Sequence, residues 1–485
     1  MPKIQFIAPE FQADATFIES QFEFEGDEKQ GWKVKRNGQI ILTLGSGYTP
    51  VESSYCGVCS TDLARQFLPY PLPQIIGHEV VGTKDGQTVV VEINASKKAR
   101  GIKSPDDPYG RSSIHSHDPE RLTLGINRLP GGFAPIFLAP IDGIIPLPEA
   151  IDPKLACLIE PLAAALQGLE ASSIARGERV AVLGPRRLGL LIIAALVARR
   201  NQLEIDFEII ALARHPHLLK LARALGADTA VNLNTTPIEK LNKQFDLVFD
   251  TTGKPEGLEI ALNLAKKVVH LKSTHGLSAL GLNSITDLVV DEISLLPASE
   301  QNLKFTWPQE NSCRDNYNIY VTENVNQTVL ERFLPQKNHL FHRLSFEAAI
   351  ATIQNNHLVN SPLNRFDLAI ASNLADVDRI LRPLPGQEFS LVRPRGAILL
   401  TESDNYQSRL HQQICQENLI INSSRCGDFH QAIQVLVENS TIREVLLNQF
   451  ITHQYSLQNI DAAFAMAGDS SQSIKVIIKT KNSYQ

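Results

Sequence analysis

Two cysteines, a histidine and a glutamate fall close together in "SSYCGVCSTDLARQFLPYPLPQIIGHEVVG", from Ser53 to Gly82. Thiolate, imidazole and carboxylate are the groups zinc prefers, and a catalytic zinc site keeps one position open for water or substrate. Cys56 and Cys59 form a CxxC, but the chain has no second CxxC and no His-x-x-x-His. A four-thiolate structural site is therefore excluded. Taken singly, each residue also has a structural reading: a buried Cys is a small hydrophobe, and a lone His completes a local hydrogen-bond pattern.

The elements that must position these residues follow from the hydrophobic pattern. From Gly38 to Ala150 the chain shows short β-rich runs such as "QIILTL" and "TVVVEI", broken by Gly and Pro, which predict an all-β, partly closed sheet. At Arg179 the pattern changes to buried strands alternating with helices: "RVAVLG", "FEIIALA", "FDLVFDTTG" and "KKVVHLKST". That alternation predicts a doubly wound parallel sheet. A weak repeat follows, in which "FDLVFDTTG", "VVHLKST" and "DEISLL" are echoed in order by "FDLAIASN", "AILLTES" and "ENLIIN". It reads as a duplicated or inserted strand-helix-strand piece, or as buried strands that resemble one another. Residues 1–30 are aromatic and acidic without a clear period, a leader expected to pack on the first domain. Residues 300–365 read as polar and loop-like.

Composition narrows the class. The chain has 485 residues, 43% of them hydrophobic, which is more than one core can use. The formal net charge of -6 gives no positive field for phosphate backbones, so nucleic acid is not an expected partner. The six cysteines are thinly spread, as in a reducing, cytoplasmic setting. The longest apolar run, "LGLLIIAALVA", is short of the ~20 residues that span a bilayer, and no signal or transit pattern opens the chain. The expectation is a soluble cytoplasmic protein without a membrane partner.

The motifs "CGVCSTDL", "PLPQIIGHEVVG", "GGFAPIF" and "LIEPLAAAL" occur in this order, directly before a strand-turn-helix of dinucleotide type. Together they resemble the medium-chain, zinc-dependent alcohol dehydrogenase family, in particular its threonine, sorbitol and polyol dehydrogenase branch. The resemblance runs from about residue 35 to 300 and resumes from about 415 to the end. It implies an α/β fold with a GroES-like β domain over residues 31–155 and a Rossmann doubly wound parallel sheet over 156–300. An insertion would occupy 301–415, and 416–485 would end the Rossmann domain and return to the catalytic domain. By the same resemblance Cys59 and His78 are zinc ligands, and Glu79 and Glu160 are carboxylates of the inner or exchanging coordination set. Asp62 would fix the histidine tautomer. Thr61 would relay the proton from substrate oxygen, but the histidine that many relatives carry five residues after the cysteine ligand is Ala64 here. The four-cysteine lobe of many relatives is also missing, so one catalytic zinc and no structural zinc is expected. His115 and His117, in that stretch, read as solvent-exposed.

After "RVAVL" the fingerprint G-x-G-x-x-G reads "GPRRLG". Gly184 and Gly189 hold the first and third places, and Arg186 replaces the middle glycine where the pyrophosphate should approach most closely. Arg186 and Arg187 at a helix N-terminus also attract an anion. The same turn would serve a sheet that binds no dinucleotide. At the end of the next strand Ala213 and Arg214 stand where an NAD site has a carboxylate, which favours NADP over NAD. Thr251 and Thr252 end the fourth strand, where such sheets meet the nicotinamide half, and Lys272 ends the next, read as solvated. The expected activity is hydride transfer between a secondary alcohol of a polyol, sugar or amino alcohol and NADP or NAD, by a homo-oligomer (dimer or tetramer). The alternatives are a nonenzymatic scaffold or NADP(H) sensor, and a zinc-independent quinone or enone reductase.

Overall fold

The computed structural model describes residues 2–103, 115–273, 276–304, 316–333, 339–358, 362–384 and 389–481. The chain divides into two compact units, Met1–Ala163 with Cys426–Gln485, and Ala164–Arg425.

The first unit opens on a β-meander of strands β1 (Lys3–Phe11), β2 (Phe17–Asp27), β3 (Gly31–Arg36) and β4 (Gln39–Leu44), paired in that order. The period missed in residues 1–30 is present in "FEFE": Phe22 and Phe24 are buried, while Glu23 and Glu25 face Lys35. Phe11 and Phe17 at the β1–β2 turn, with Phe133, surround Phe464, at ring-centroid distances of 6.3, 4.8 and 5.7 Å. These aromatic contacts tie the meander to the rest of the unit, so this stretch is a folded part of it.

Beyond it come β5 (Tyr48–Gly57), helix α1 (Ser60–Leu63), β6 (Glu79–Lys84), β7 (Gln87–Val91), and a small pair, β8 (Asn94–Ala95) with β9 (Leu122–Thr123). Strands β10 (Ile136–Pro140) and β11 (Ile144–Pro146) precede helices α2 (Pro153–Ala156) and α3 (Ile159–Glu170).

The second unit carries β12 (Arg179–Leu183), helix α4 (Arg187–Leu203), β13 (Glu208–Ala213), β14 (Thr229–Asn232), β15 (Phe245–Asp250) and β16 (Ala265–Leu271). It continues with β17 (Ser294–Pro297), β18 (Asn318–Val321), β19 (Leu340–Arg343), β20 (Phe366–Ala371), β21 (Val392–Leu400) and β22 (Ile420–Ser423). Val180, Ala181, Val182 and Leu183 are all buried, as in a parallel sheet covered on both faces. Among the described residues these strands make one sheet of eleven, in the order β14-β13-β12-β15-β16-β22-β17-β21-β20-β18-β19. The first six run parallel, the last five run parallel, and β22 meets β17 antiparallel.

The expected insertion is thus continuous with the cofactor-type sheet. Within the stretch read as loop-like, β18 and β19 are strands of four residues. They are too short for a period to show between polar neighbours. The chain then returns to the first unit through β23 (Ile451–Ser456) and β24 (Lys475–Lys479), completing a second sheet ordered β11-β7-β6-β5-β24-β23, with β10 also on β5.

Candidate active site

Cys59 ends the loop after β5 and caps α1 with extended backbone (φ -93°, ψ 160°). Its thiol accepts the N–H of Asp62, and the Asp62 carboxylate accepts the N–H of Cys59 at 2.8 Å. This reciprocal pair satisfies two N–H groups that a helix start leaves open.

The other Asp62 oxygen lies 3.3 Å from His78 Nδ1, so a single buried carboxylate orients both the cysteine turn and the imidazole. Burial works against a charged His78 ring, yet Asp62 and the Cys59 thiol beside it hold its pKa well above the ordinary value. The Thr61 hydroxyl is 3.6 Å from the Cys59 sulfur.

His78 is brought to this place by the loop that precedes β6. Gly77 has φ +98°, and a Cβ there would lie 2.9 Å from both Cys56 Sγ and the Phe133 ring. Cys56 is fully buried and packs against this turn, the core position expected of it. Arg65 is also fully buried; its guanidinium donates to the carbonyls of Tyr70 and Pro71 at 3.2 and 2.8 Å and to Gln74 Oε1 at 2.8 Å. With carbonyl and amide oxygens as its partners, the side chain fastens the loop between Cys59 and His78.

Two carboxylates complete the cluster. Glu160 on α3 is driven up to a pKa of about 7, first by burial; His78 opposes the rise and Glu79 adds to it. Glu79, expected among the metal-binding carboxylates, is held by Lys475 of β24 in a buried ion pair, and Lys475 also donates to the Val58 carbonyl at 3.2 Å. A Cβ at Gly57 would fall on this pair, 2.9 Å from Lys475 Cε. Lys475 and Arg65 were both missed in the sequence. The signal for Lys475 was present in "SIKVIIK", since a lysine inside an apolar strand must find a carboxylate when it is buried.

Among the described residues no three His, Cys, Asp or Glu side chains converge tightly enough to hold a metal ion as they stand. The donor chemistry nonetheless fits zinc: a cysteine at a helix start, a histidine with Nδ1 turned to a carboxylate, and the half-buried Glu160, whose carboxyl His78 influences.

His115 and His117 are only partly exposed, correcting the expectation, and His115 Nδ1 lies 2.7 Å from Ser96 Oγ.

The second unit gathers the other predicted residues. Gly184 has φ +75°, and a Cβ there would meet Thr252 Cγ2 at 2.9 Å. At Gly189 a Cβ would meet Thr251 Oγ1 at 2.7 Å. Thr251 Oγ1 donates to the carbonyls of Leu183 and Gly184 at 3.0 and 2.9 Å, and Thr252 is bound through its N–H and hydroxyl to Asp250. Both outer glycines of the turn are therefore required by close packing. Arg186 is the N-cap of α4, with Arg187 at its first position. Arg214 is exposed at the end of β13. His217 lies near His215 and Arg186, and its pKa is lowered, first by burial and then by these two neighbours. Lys272 is not solvated: it is buried, donating to Ser424 Oγ at 2.7 Å and to the Arg425 carbonyl at 2.8 Å.

No family model matches the chain. It is 28% identical over 244 residues to a sorbitol dehydrogenase of Halalkalibacterium halodurans, covering 46% of this chain and 68% of that protein. It is 28% identical over 259 residues to an L-galactonate-5-dehydrogenase of Escherichia coli, covering 48% and 69%. In fold it is similar to the L-idonate 5-dehydrogenase of Escherichia coli, with TM-score 0.54, 14% identity and 99% of both chains covered. A zinc-binding dehydrogenase of Sinorhizobium meliloti, solved with NADP, gives TM-score 0.51 at 16% identity, covering 98% of this chain and 100% of that one.

Proposed function

We propose that this chain, a relative in sequence and fold of the medium-chain zinc-dependent alcohol and polyol dehydrogenases, passes a hydride between a secondary alcohol and NADP. The substrate class is a polyol, sugar or amino alcohol. The observation that carries the reading is the arrangement of Cys59, His78 and Asp62, in which one carboxylate sets both donors.

Cys59, His78 and Glu160 would hold the zinc, one per chain, and the ion supplies Lewis acidity toward an alcohol oxygen. Asp62 keeps the imidazole oriented so that its far nitrogen is the donor. Thr61, beside the cysteine sulfur, takes the departing proton through its hydroxyl. Ala64 offers no group to pass it on, so proton release goes to water. Glu79 neutralises Lys475 and stays out of the donor set in this state.

In the second unit, the Gly184 turn and the start of α4 would receive the pyrophosphate. Arg214, with Ala213 in place of a carboxylate, supports NADP.

The test is zinc per chain after extensive dialysis, in the wild type and in Cys59→Ala, with NADP reduction followed on a panel of secondary alcohols. One zinc that is lost in the variant, with activity toward at least one alcohol, is expected. Folded wild-type protein that takes up no zinc when zinc is supplied would overturn the reading. NADPH oxidation by an enone in that zinc-free protein would establish the metal-independent reductase instead.

A further inference from the structure

The eleven-stranded sheet is built from two runs that repeat one another pair by pair. In the first, Leu247, Val248, Phe249 and Asp250 of β15 lie opposite Val268, Val269, His270 and Leu271 of β16. In the second, Leu368, Ala369, Ile370 and Ala371 of β20 lie opposite Ala397, Ile398, Leu399 and Leu400 of β21. The register slips at the same place in both, between Phe245 and Leu247 and between Phe366 and Leu368.

On the outer side β12 pairs with β15, Val180 opposite Leu247, as β18 pairs with β20, Ile319 opposite Leu368. Hydrogen bonds repeat too. Asp246 accepts the N–H of Arg179 at 3.0 Å, and Asp367 accepts the N–H of Asn318 at 2.9 Å. The N–H groups of Lys272 and Thr401 donate to the carbonyls of Asp250 and Ala371, each at 3.0 Å. Generic likeness among buried strands does not reproduce a register, its irregularity and a side-chain cap at matching positions.

The last strand of each run is exchanged. β17 follows β16 in sequence but pairs with β21, Leu295 opposite Ile398. β22 follows β21 but pairs with β16, Ile421 opposite Val269. The two exchanged strands meet antiparallel at Leu295 and Ile421, which hold the same place in "DEISLL" and "ENLIIN". Contact between equivalent positions on antiparallel strands is the signature of a two-fold axis through the seam.

The seam is reinforced by fully buried Glu292, which accepts from Arg395 Nε at 2.8 Å and from the Arg425 N–H at 2.7 Å. Without β17, the edge of β22 would present unpaired backbone N–H and C=O groups, a surface on which another chain adds. The second run lacks the cofactor turn, because Thr322 and Glu323 stand where the first has Leu183 and Gly184. There Thr322 and Ser372 donate to Asp376 at 2.9 and 2.8 Å and tie the strand ends together.

We propose that residues 291–403 form an internal, strand-exchanged second copy of the α/β half, occupying the sheet edge on which a separate chain would otherwise pair. The protein is consequently a monomer in solution, contrary to the homo-oligomer expected from its resemblance. This does not depend on the dehydrogenase reading.

Sedimentation equilibrium of the full chain, over a wide range of protein concentration, is expected to give one species of 53.6 kDa. A species of twice that mass would overturn the proposal. In the double variant Leu295→Cys, Ile421→Cys, mild oxidation should close a bridge within one chain, and a bridge joining two chains would equally overturn it. If that variant does not fold, the mass of the wild-type protein decides.

Discussion

Lys475 is only 2% exposed, with its ammonium on the Glu79 carboxylate and the Val58 carbonyl. Removing one member of a buried pair leaves the other charge without a partner, at a cost of about 3–5 kcal/mol. Lys475→Met should therefore lower the unfolding free energy by ~3 kcal/mol in urea titration, and adding Glu79→Gln should restore most of it. A loss below about 1 kcal/mol would mean that the pair is not formed in solution.

Glu92 is a second buried carboxylate, bound to the N–H and side-chain amide of Asn94 at 2.8 Å each. Burial drives its pKa from 4.5 up to about 7, with Glu160 and Asp428 adding to the rise. The folded chain then keeps a proton that the unfolded chain has released, so this group lowers stability as pH rises from 4.5 through 7. Glu92→Gln should stabilise the protein at pH 8 by up to ~3 kcal/mol, with the gain vanishing toward pH 4.5. Urea unfolding across that pH range measures it, and a gain independent of pH would show that Glu92 does not titrate.

At the scale of elements, α1 and α4 each place candidate site residues at their first turn. The capping exchange between Cys59 and Asp62 is local, and the spacing of the two residues in "CSTDL" already allows it. The start of α4 is less orthodox, since Arg186 occupies the N-cap and the place where a dinucleotide backbone would come nearest. Arg186→Gly should tighten NADPH binding about tenfold, ~1.4 kcal/mol, in a fluorescence titration. Weaker binding would show instead that the guanidinium holds a phosphate. The strands of "RVAVL", "FEIIALA" and "FDLVFD" were readable because long buried runs bounded by turns have few other uses. β18 and β19 were not, because four residues do not establish a period.

At the scale of the whole molecule, the exchange of β17 and β22 interlocks the two runs of the large sheet. Neither can unfold and leave the other with its last strand in place. Amides of β15 and β20 should therefore exchange with deuterium in one slow cooperative class, measured by hydrogen exchange at increasing urea. Protection lost in β18–β20 well before β12–β16 would show that the runs open independently. Among the described residues no helix is long and apolar enough to cross a membrane.

The sequence by itself determined the order of the motifs, the change from β-rich to alternating α/β pattern at Arg179, and the identity of the chemical groups. Each of these is written in residues a few places apart, where spacing translates directly into geometry. It showed the echoed strand motifs, but left open whether they are a repeat or only buried strands that resemble one another. Only the tertiary structure decided that Lys475, 396 positions from Glu79, claims that carboxylate. Only the tertiary structure decided that β17 and β22 change places, since strand pairing is a contest among hydrophobic partners similar in pattern and distant in sequence. Burial and register across the whole sheet settle that contest, and no local signal records the outcome.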